Sequence, residues 1–207
     1  MAERLPAWIK PDHLTAMGLL SALIISASYA LTTLSYNWLW LANFGLVAHW
    51  WADSLDGTLA RVRHIERDRY GFFVDHFSDT VAQFLICLGM GLSPLMDLRI
   101  ALMLLTAYYA MSILVYLVQI TRGVFKISFA GIGPTEVRLI VIIVNTVVWY
   151  FDNPLVSIGR WKPTLFSLIG IVAAVLLMGA YLVFGGIERH RLAQADPPRT
   201  PDVSSNR

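Results

Sequence analysis

Residues 53–79 read DSLDGTLARVRHIERDRYGFFVDHFSD, and the rest of the chain is apolar helix arranged around this stretch. Four of its five aspartates fall into two pairs at helical spacing. In the first pair Asp53 and Asp56 are three residues apart, and Gly57 and Ala60 follow at offsets of four and seven from Asp53. On a helix these four residues share one stripe.

The second pair repeats the pattern after a short basic loop. Gly71, Asp75 and Asp79 are each four residues apart, so they form a second stripe. Two helices that face each other across the loop would bring four carboxylates together beside small residues. Such a cluster is unstable without cations, because like charges in a poorly hydrated place repel strongly.

A carboxylate cluster of this kind indicates a metal site. Oxygen-only ligands select hard divalent ions, Mg²⁺ or Mn²⁺ before Zn²⁺, and Mg²⁺ is typically held by a few carboxylates together with substrate phosphates. Arg61, at the end of the first stripe, offers a fork of donors to phosphate oxygens. The alternative is that the aspartates are solvated helix ends, and their place inside apolar segments argues against it.

The same residues carry a family resemblance. The run Asp53-x-x-Asp56-Gly57-x-x-Ala60-Arg61, followed after nine residues by Gly71-x-x-x-Asp75-x-x-x-Asp79, resembles the signature of the CDP-alcohol phosphotransferase, or CDP-alcohol phosphatidyltransferase, family of membrane enzymes. All eight signature positions are present, although the gap is one residue longer than the commoner family spacing. Eight positions make a far more specific signal than a lone glycine motif.

The resemblance implies a reaction and a set of site residues. It implies transfer of a phospho-alcohol or phosphatidyl group from a CDP-linked donor, CDP-diacylglycerol or a CDP-alcohol, to the hydroxyl of a lipid or polar alcohol. CMP is released, and the pathway is phospholipid biosynthesis. By the same resemblance two Mg²⁺ or Mn²⁺ ions are held by Asp53, Asp56, Asp75 and Asp79, with Asp79 as the candidate general base. The CDP moiety would lie against Gly57, Ala60, Arg61 and Gly71, and the protein would be a homodimer.

Composition independently indicates a membrane protein. The chain of 207 residues is 57% hydrophobic and only 14% charged, with a mean hydropathy of +0.60, which is too apolar for an ordinary soluble domain. A formal charge of +2 is too small to suggest nucleic acid. Cys87 is the single cysteine, so neither a disulfide framework nor a cysteine metal site is expected.

Apolar runs predict an all-α, polytopic membrane protein with a bundle of six transmembrane helices. A short N-terminal interfacial segment, or else a disordered terminus, is expected before them, and residues 1–192 are expected to form the membrane domain. The tail, residues 193–207, is rich in Pro, Ser and Asp and is expected to be disordered. The expected spans are 13–34, 37–64, 70–92, 98–120, 134–151 and 163–184.

Positive charges predict the orientation of these spans. If the amino terminus is cytoplasmic, only Arg99, Arg160 and Lys162 lie outside, and the other thirteen of the 16 Lys and Arg residues lie inside. Both termini and the aspartate site are therefore expected to face the cytoplasm, where a CDP-linked substrate would be found.

Residues 121–138, TRGVFKISFAGIGPTEVR, form a second informative stretch. Arg122, Lys126 and Arg138 are candidate contacts for a phosphate or a lipid head group, or else ordinary positive-inside charges. The Thr135-Glu136 pair and the run Asp75-His76-x-x-Asp79 resemble the choline and ethanolamine phosphotransferase branch. His49, four residues before Asp53, is favoured as a polar packing residue over a metal or substrate ligand.

Two other classes of protein also place carboxylates in membrane helices. A transporter or ion-binding protein would carry them near mid-membrane, often in two related halves, and residues 100–207 contain no repeat of the aspartate pattern. An aspartate-rich prenyltransferase would need a second aspartate motif far along the chain. Only Asp97 and Asp152 remain in the later membrane region, both on the expected outer side.

Overall fold

The computed structural model describes residues 2–122 and 133–198. These residues form six α-helices and no strand beyond two isolated β-bridges, which confirms the predicted all-α fold. A short 3-10 helix, Ala2–Arg4, comes first. The helices are α1 (Pro11–Leu31), α2 (Trp38–Val62), α3 (Asp68–Gly91), α4 (Leu98–Arg122), α5 (Pro134–Phe151) and α6 (Leu165–Ala195).

Four of these helices, α1, α4, α5 and α6, are long and apolar enough to cross a membrane. The other two, α2 and α3, contain the aspartate stretch, and its charged residues lower their hydropathy. Helix α2 has 25 residues, which gives a length of about 37 Å against roughly 30 Å of bilayer hydrocarbon. That α2 and α3 also span the membrane stays a prediction.

Helix boundaries follow recognisable signals. Helix α5 begins at Pro134, where the Glu136 carboxylate accepts a hydrogen bond from the Gly133 N–H at 2.8 Å. Helix α6 begins after Thr164, whose hydroxyl oxygen accepts from the Ser167 N–H at 3.1 Å. It then continues to Ala195, past the expected end of the span at 184 and past the expected start of the tail. Residues 199–207 of that tail lie outside the described residues.

The packing brings α2 and α3 to a common neighbour, α1. Helix α1 packs on both of them, α5 packs on α2, and α4 packs on α3 and on α6. The approach of α3 to α1 is close, since a Cβ on Gly89 would lie 2.5 Å from Cα of Ser26. The main core cluster draws on every helix, and its fully buried members include Ile25, Tyr29, Leu39, Ala42 and Val148.

Buried side-chain hydrogen bonds join three of the helices within this core. Asn145 of α5 donates from Nδ2 to Oδ1 of Asn43 on α2 at 2.8 Å, and the Tyr29 hydroxyl of α1 donates to Oδ1 of Asn145 at 3.2 Å. A satisfied network in a low-dielectric core rigidifies and specifies the packing. It therefore helps to set how α1, α2 and α5 pack against one another.

The N-terminal segment is a series of turns fastened to the end of α2. The Arg63 guanidinium donates to the backbone carbonyls of Leu5, Pro6 and Ile9. Ala2 is buried beside Leu14, Leu55 and Leu59 of α1 and α2. Trp8 points outward with 71% of its surface exposed, which suits a residue at a membrane interface.

Candidate active site

One cleft at the junction of α1, α2 and α3 is lined by all four aspartates of the motif. Asp53 and Asp56 come from α2, and Asp75 and Asp79 come from α3. The cleft thus brings the aspartates of the two stripes together. The remaining lining residues are Thr15, Gly18, Leu19, His49 and Ser78.

Asp53 of α2 forms an ion pair with an arginine of α5. Nη2 of Arg138 on α5 lies 2.8 Å from Oδ2 of Asp53, and the two side chains are 16% and 25% exposed. Water screens such a half-buried pair only partly, so the attraction is stronger than in a surface ion pair. Arg138, a predicted phosphate or lipid-head contact, thus lies at the aspartate site in this structure.

Asp56 is positioned from α1. The Thr15 hydroxyl donates to Oδ2 of Asp56 at 3.0 Å, and the other carboxylate oxygen of Asp56 accepts from the N–H of Gly57 at 2.6 Å. A hydrogen bond to a charged acceptor is worth more than one between neutral groups. Thr15 therefore orients one of the four carboxylates toward the cleft.

The two carboxylates of α3 have fewer partners. Oδ2 of Asp75 lies 3.6 Å from Nδ1 of His76. Asp79 makes no side-chain hydrogen bond or ion pair with the described residues, although it lies in the electrostatic field of the other three aspartates and of Arg138. Its carboxylate is thus free to accept a proton or to bind a ligand.

The chemistry of this donor set fits Mg²⁺ or Mn²⁺, because all four charged groups that line the cleft are carboxylates. Across residues 2–122 and 133–198, however, no group of three or more Asp, Glu, His or Cys side chains is already arranged to hold a metal ion. Asp53 is turned to Arg138 and Asp56 to Thr15. Metal binding by the four aspartates therefore stays a prediction.

The small residues of the two stripes lie at uncrowded positions, although they are not among the residues that line the cleft. A Cβ built on Gly71 would meet no atom within 4 Å, and one on Gly57 would meet only the Arg61 guanidinium, at 3.5 Å. Ala60 is partly exposed one turn after Gly57, and Arg61 donates to the Thr58 hydroxyl at 3.3 Å. Glycine costs helix stability relative to alanine, and close packing of a neighbouring helix does not explain either glycine.

The other predicted phosphate contacts are not brought to the cleft. Nη1 of Arg122 lies 2.9 Å from the buried carboxylate of Glu188 on α6, and Arg191 lies 2.9 Å from the same carboxylate. The Arg122 guanidinium is thus engaged in an ion-pair cluster between α4 and α6. Lys126 lies outside the described residues.

Some residues of the cleft had no clear signal in the sequence. In the sequence, Thr15 is part of a capping signal before the first apolar span. Nothing in the sequence distinguishes Ser78 from other helical positions. His49, favoured as a packing residue, is only 7% exposed and lies in the wall of the cleft. Its spacing of four residues before Asp53 was the one signal for a place beside the site.

Helix α4 packs on α3 near Asp79. The Tyr109 hydroxyl donates to the backbone carbonyl of Thr80 at 2.8 Å and so fixes α4 against the turn that follows Asp79. Tyr108, one residue earlier, lies in the field of the Asp79 carboxylate. The Tyr116 ring packs edge-on against His76 at a centroid distance of 4.7 Å.

Comparison with known proteins gives a family match over most of the chain. The family model described as CDP-alcohol phosphatidyltransferase matches residues 8–187, which include all six helices except the last turns of α6. No curated protein sequence matches the chain. The family match favours a transferase over the transporter and the prenyltransferase.

Proposed function

Because the chain belongs to the CDP-alcohol phosphatidyltransferase family, we propose that it transfers a substituted phosphate group from a CDP-linked donor to the hydroxyl of an alcohol at the four-aspartate cleft. Membership makes it a phosphotransferase of lipid synthesis that uses a CDP-alcohol donor and an alcohol acceptor. The observation that carries the proposal is the cleft itself, where α2 and α3 each contribute two carboxylates beside open glycine positions.

The donor would enter at the open end of the cleft. The cytidine and its phosphates would lie against Gly57 and Gly71, which are uncrowded, and against the small side chain of Ala60 on the same stripe as Gly57. Arg61 is exposed beside Gly57 and can exchange its weak bond to Thr58 for a pyrophosphate oxygen. Arg138, on the far side, brings a second guanidinium next to Asp53.

Divalent ions would be held by Asp53, Asp56, Asp75 and Asp79, which are the oxygen ligands available in the cleft. Bound there, such ions neutralise the pyrophosphate and the leaving CMP. The protein groups around them keep the carboxylates in place: Thr15 orients Asp56, and Arg138 offsets the charge of Asp53.

Transfer would proceed by in-line attack. Asp79 takes the proton of the acceptor hydroxyl, and the hydroxyl oxygen bonds to the phosphorus that carries the donor alcohol. The bond from that phosphorus to the bridging oxygen breaks, and CMP leaves with the bond's electron pair. Asp79 suits this role because no described side chain occupies its carboxylate.

The proposed setting is a membrane enzyme with its cleft on the cytoplasmic side and both termini inside, acting as a homodimer. The distribution of Lys and Arg supports this orientation. Large side chains exposed on α5 and α6, such as Ile143, Val175 and Leu176, suit contact with lipid or with a second copy. The choline and ethanolamine branch stays a prediction.

The test is CMP release by the purified full chain in detergent with Mg²⁺. CDP-diacylglycerol with a panel of polar alcohols is compared with CDP-choline or CDP-ethanolamine with diacylglycerol. Release that needs both donor and acceptor supports the proposal, and the active pair identifies the direction of transfer. If well-folded protein releases no CMP from any pair, the proposal is wrong.

A further inference from the structure

An ordered hairpin, residues 154–164, joins α5 to α6. Its two arms pair through backbone hydrogen bonds: the Ile158 N–H donates to the Trp161 carbonyl at 2.8 Å, and the Trp161 N–H donates back to the Ile158 carbonyl at 3.1 Å. Gly159 and Arg160 make the turn between them. Gly159 has a φ of 64°, a left-handed conformation that favours glycine. The connection between the two helices therefore has a defined backbone.

Side chains at the base of the hairpin fix it to the turn between α3 and α4. The Thr164 hydroxyl donates to the carbonyl of Leu95 at 2.6 Å, and Nδ2 of Asn153 donates to the same carbonyl at 3.0 Å. Oδ1 of Asn153 accepts from the N–H of Phe166, in the first turn of α6, at 3.0 Å. Leu95 is itself fully buried. The hairpin is thus held at one place against the bundle.

The tip of the hairpin combines an apolar pair with two basic side chains. Ile158 and Trp161 are a hydrogen-bonded pair, so their side chains are neighbours on one face. They are 50% and 49% exposed, although both are large and apolar. Pro163, on the same face nearer the base, is buried, and Arg160 and Lys162 are exposed on either side of Trp161 in the chain. The fold thus covers the base of this face and leaves half of the apolar pair uncovered.

The position of the tip indicates what covers it. Helices α5 and α6 are long and apolar enough to cross a membrane, so the hairpin lies where both leave the bilayer. Arg138 contacts Asp53 near the start of α5, and the hairpin follows the other end of that helix. Helix α5 has 18 residues, a length of about 27 Å against roughly 30 Å of hydrocarbon. A helix this short ends at the lipid head groups, where Tyr150, exposed in its last turn, is a favoured residue type.

We propose that the hairpin anchors the protein in the lipid head-group layer on the side of the membrane opposite the aspartate cleft. Ile158 and Trp161 insert between the lipids, and Arg160 and Lys162 bind the phosphates of anionic lipids. A tryptophan suits this depth because its ring is apolar and its N–H is a donor. Two of the three Lys and Arg residues expected on that side belong to this tip. The inference rests on α5 and α6 crossing the membrane and does not depend on the proposed reaction.

Fluorescence quenching in lipid nanodiscs tests the anchor, because both faces of a nanodisc are open to solvent. A bimane label is attached at Ile158→Cys or, in a second variant, at Trp161→Cys, each in the full chain with Cys87→Ser. Leu176→Cys, exposed on α6, is the lipid-facing control, and Asp196→Cys, exposed after α6, is the aqueous control. Iodide quenches labels in water, and phospholipids that carry a quencher on the acyl chain quench labels in the bilayer.

We expect lipid-borne quenchers to act on the labels at residues 158 and 161, and iodide to act on them several times less than on Asp196→Cys. A quencher carried by phosphatidylglycerol should act more strongly than one carried by phosphatidylcholine. Arg160→Gln combined with Lys162→Gln should reduce this preference by roughly fivefold or more, the contribution of a basic side chain at an anionic surface. Arg99→Gln, which removes the third basic residue of that side, should keep the preference.

The anchor is wrong if iodide quenches the labels at residues 158 and 161 as strongly as Asp196→Cys. Labels shielded from both quenchers would also overturn it, because a protein surface would then cover the tip. So would a preference for phosphatidylglycerol that survives loss of Arg160 and Lys162, or one that is lost equally in Arg99→Gln. A Leu176→Cys label that only iodide reaches would show that α6 does not cross, and the inference would fail with it.

Two controls keep these results interpretable. If Cys87→Ser lowers the yield of folded protein, the variants are made with Cys87 in place, and labelled protein without an added cysteine gives the background. Neither quenching readout uses a substrate. A chain that releases no CMP with any donor and acceptor would therefore contradict the proposed function and leave the test of the hairpin intact.

Discussion

Arg138 and Asp53 are 85 residues apart in the sequence, yet Nη2 of Arg138 lies 2.8 Å from Oδ2 of Asp53 and joins α5 to α2 at the edge of the cleft. The guanidinium offsets charge in a cluster of four carboxylates. It thus supplies part of the compensation that the cluster would otherwise need from metal ions.

Arg138→Gln should therefore make the stability of the protein more dependent on Mg²⁺. Loss of the guanidinium leaves Asp53 unpaired and half-buried, and we expect the free energy of unfolding in EDTA to fall by about 1–3 kcal/mol. Added Mg²⁺ should raise the Tm of the variant more than that of the wild type. Thermal unfolding in detergent, with EDTA and then with Mg²⁺, measures both changes.

The matched control for this prediction is Arg122→Gln. Arg122 also pairs with a buried carboxylate, Glu188, at 2.9 Å, but the pair is not part of the cleft. This variant should lose stability without changing the response to Mg²⁺. Equal Mg²⁺ stabilisation of all three proteins would show that Arg138 does not compensate the aspartate cluster.

Asp79→Asn should abolish turnover and retain most donor binding. The substitution keeps the size of the side chain but removes the group that accepts the proton, an effect of about 10²–10⁴-fold on the rate. CMP release and equilibrium binding of the CDP donor give the two readouts. Asp196→Asn, an exposed carboxylate after α6, should behave as the wild type, and turnover that persists in Asp79→Asn would remove Asp79 as the base.

Asp56→Ala should weaken Mg²⁺-dependent binding of the CDP donor, because it removes one of four predicted ligands. Thr15→Val keeps the carboxylate and removes only the 3.0 Å hydrogen bond that orients it. We expect the loss in Thr15→Val to be smaller, about 1–2 kcal/mol. Titration of donor affinity against Mg²⁺ compares them, and an unchanged metal dependence in Asp56→Ala would count against the cluster.

Gly71→Ala should separate stability from donor binding. A Cβ on Gly71 meets nothing within 4 Å, and alanine is the better helix former by about 0.5–1 kcal/mol. The Tm should therefore be unchanged or higher, while the KM for the CDP donor rises severalfold because the new methyl group occupies space that the donor uses.

Gly89→Ala is the opposite case on the same helix. Its Cβ would lie 2.5 Å from Cα of Ser26, so α1 and α3 must move apart and the Tm should fall. Thermal unfolding and donor kinetics on both variants test the pair. An unchanged donor KM in Gly71→Ala would mean that the open space is not part of the donor site.

The helix bounds that could be predicted are those set by short sequence signals. Helix α5 runs from Pro134 to Phe151, the expected bounds, because glycine, proline and glutamate give a clear start signal. Helix α6 extends past residue 184, where the predicted span ends. That end was predicted because charged residues follow Phe184, and charged residues usually mark the end of an apolar span. In the structure Glu188 is buried against Arg122 of α4, a partner 66 residues away, and the helix continues.

The sequence by itself determined the six helices and the two stripes that carry the aspartates, because periodicity of three and four residues is a local property of the chain. Only the tertiary structure decided that Arg138 pairs with Asp53 and that Thr15 orients Asp56. These relationships depend on how α1 and α5 pack on α2. Contacts between residues tens of positions apart leave no periodic trace in a single sequence.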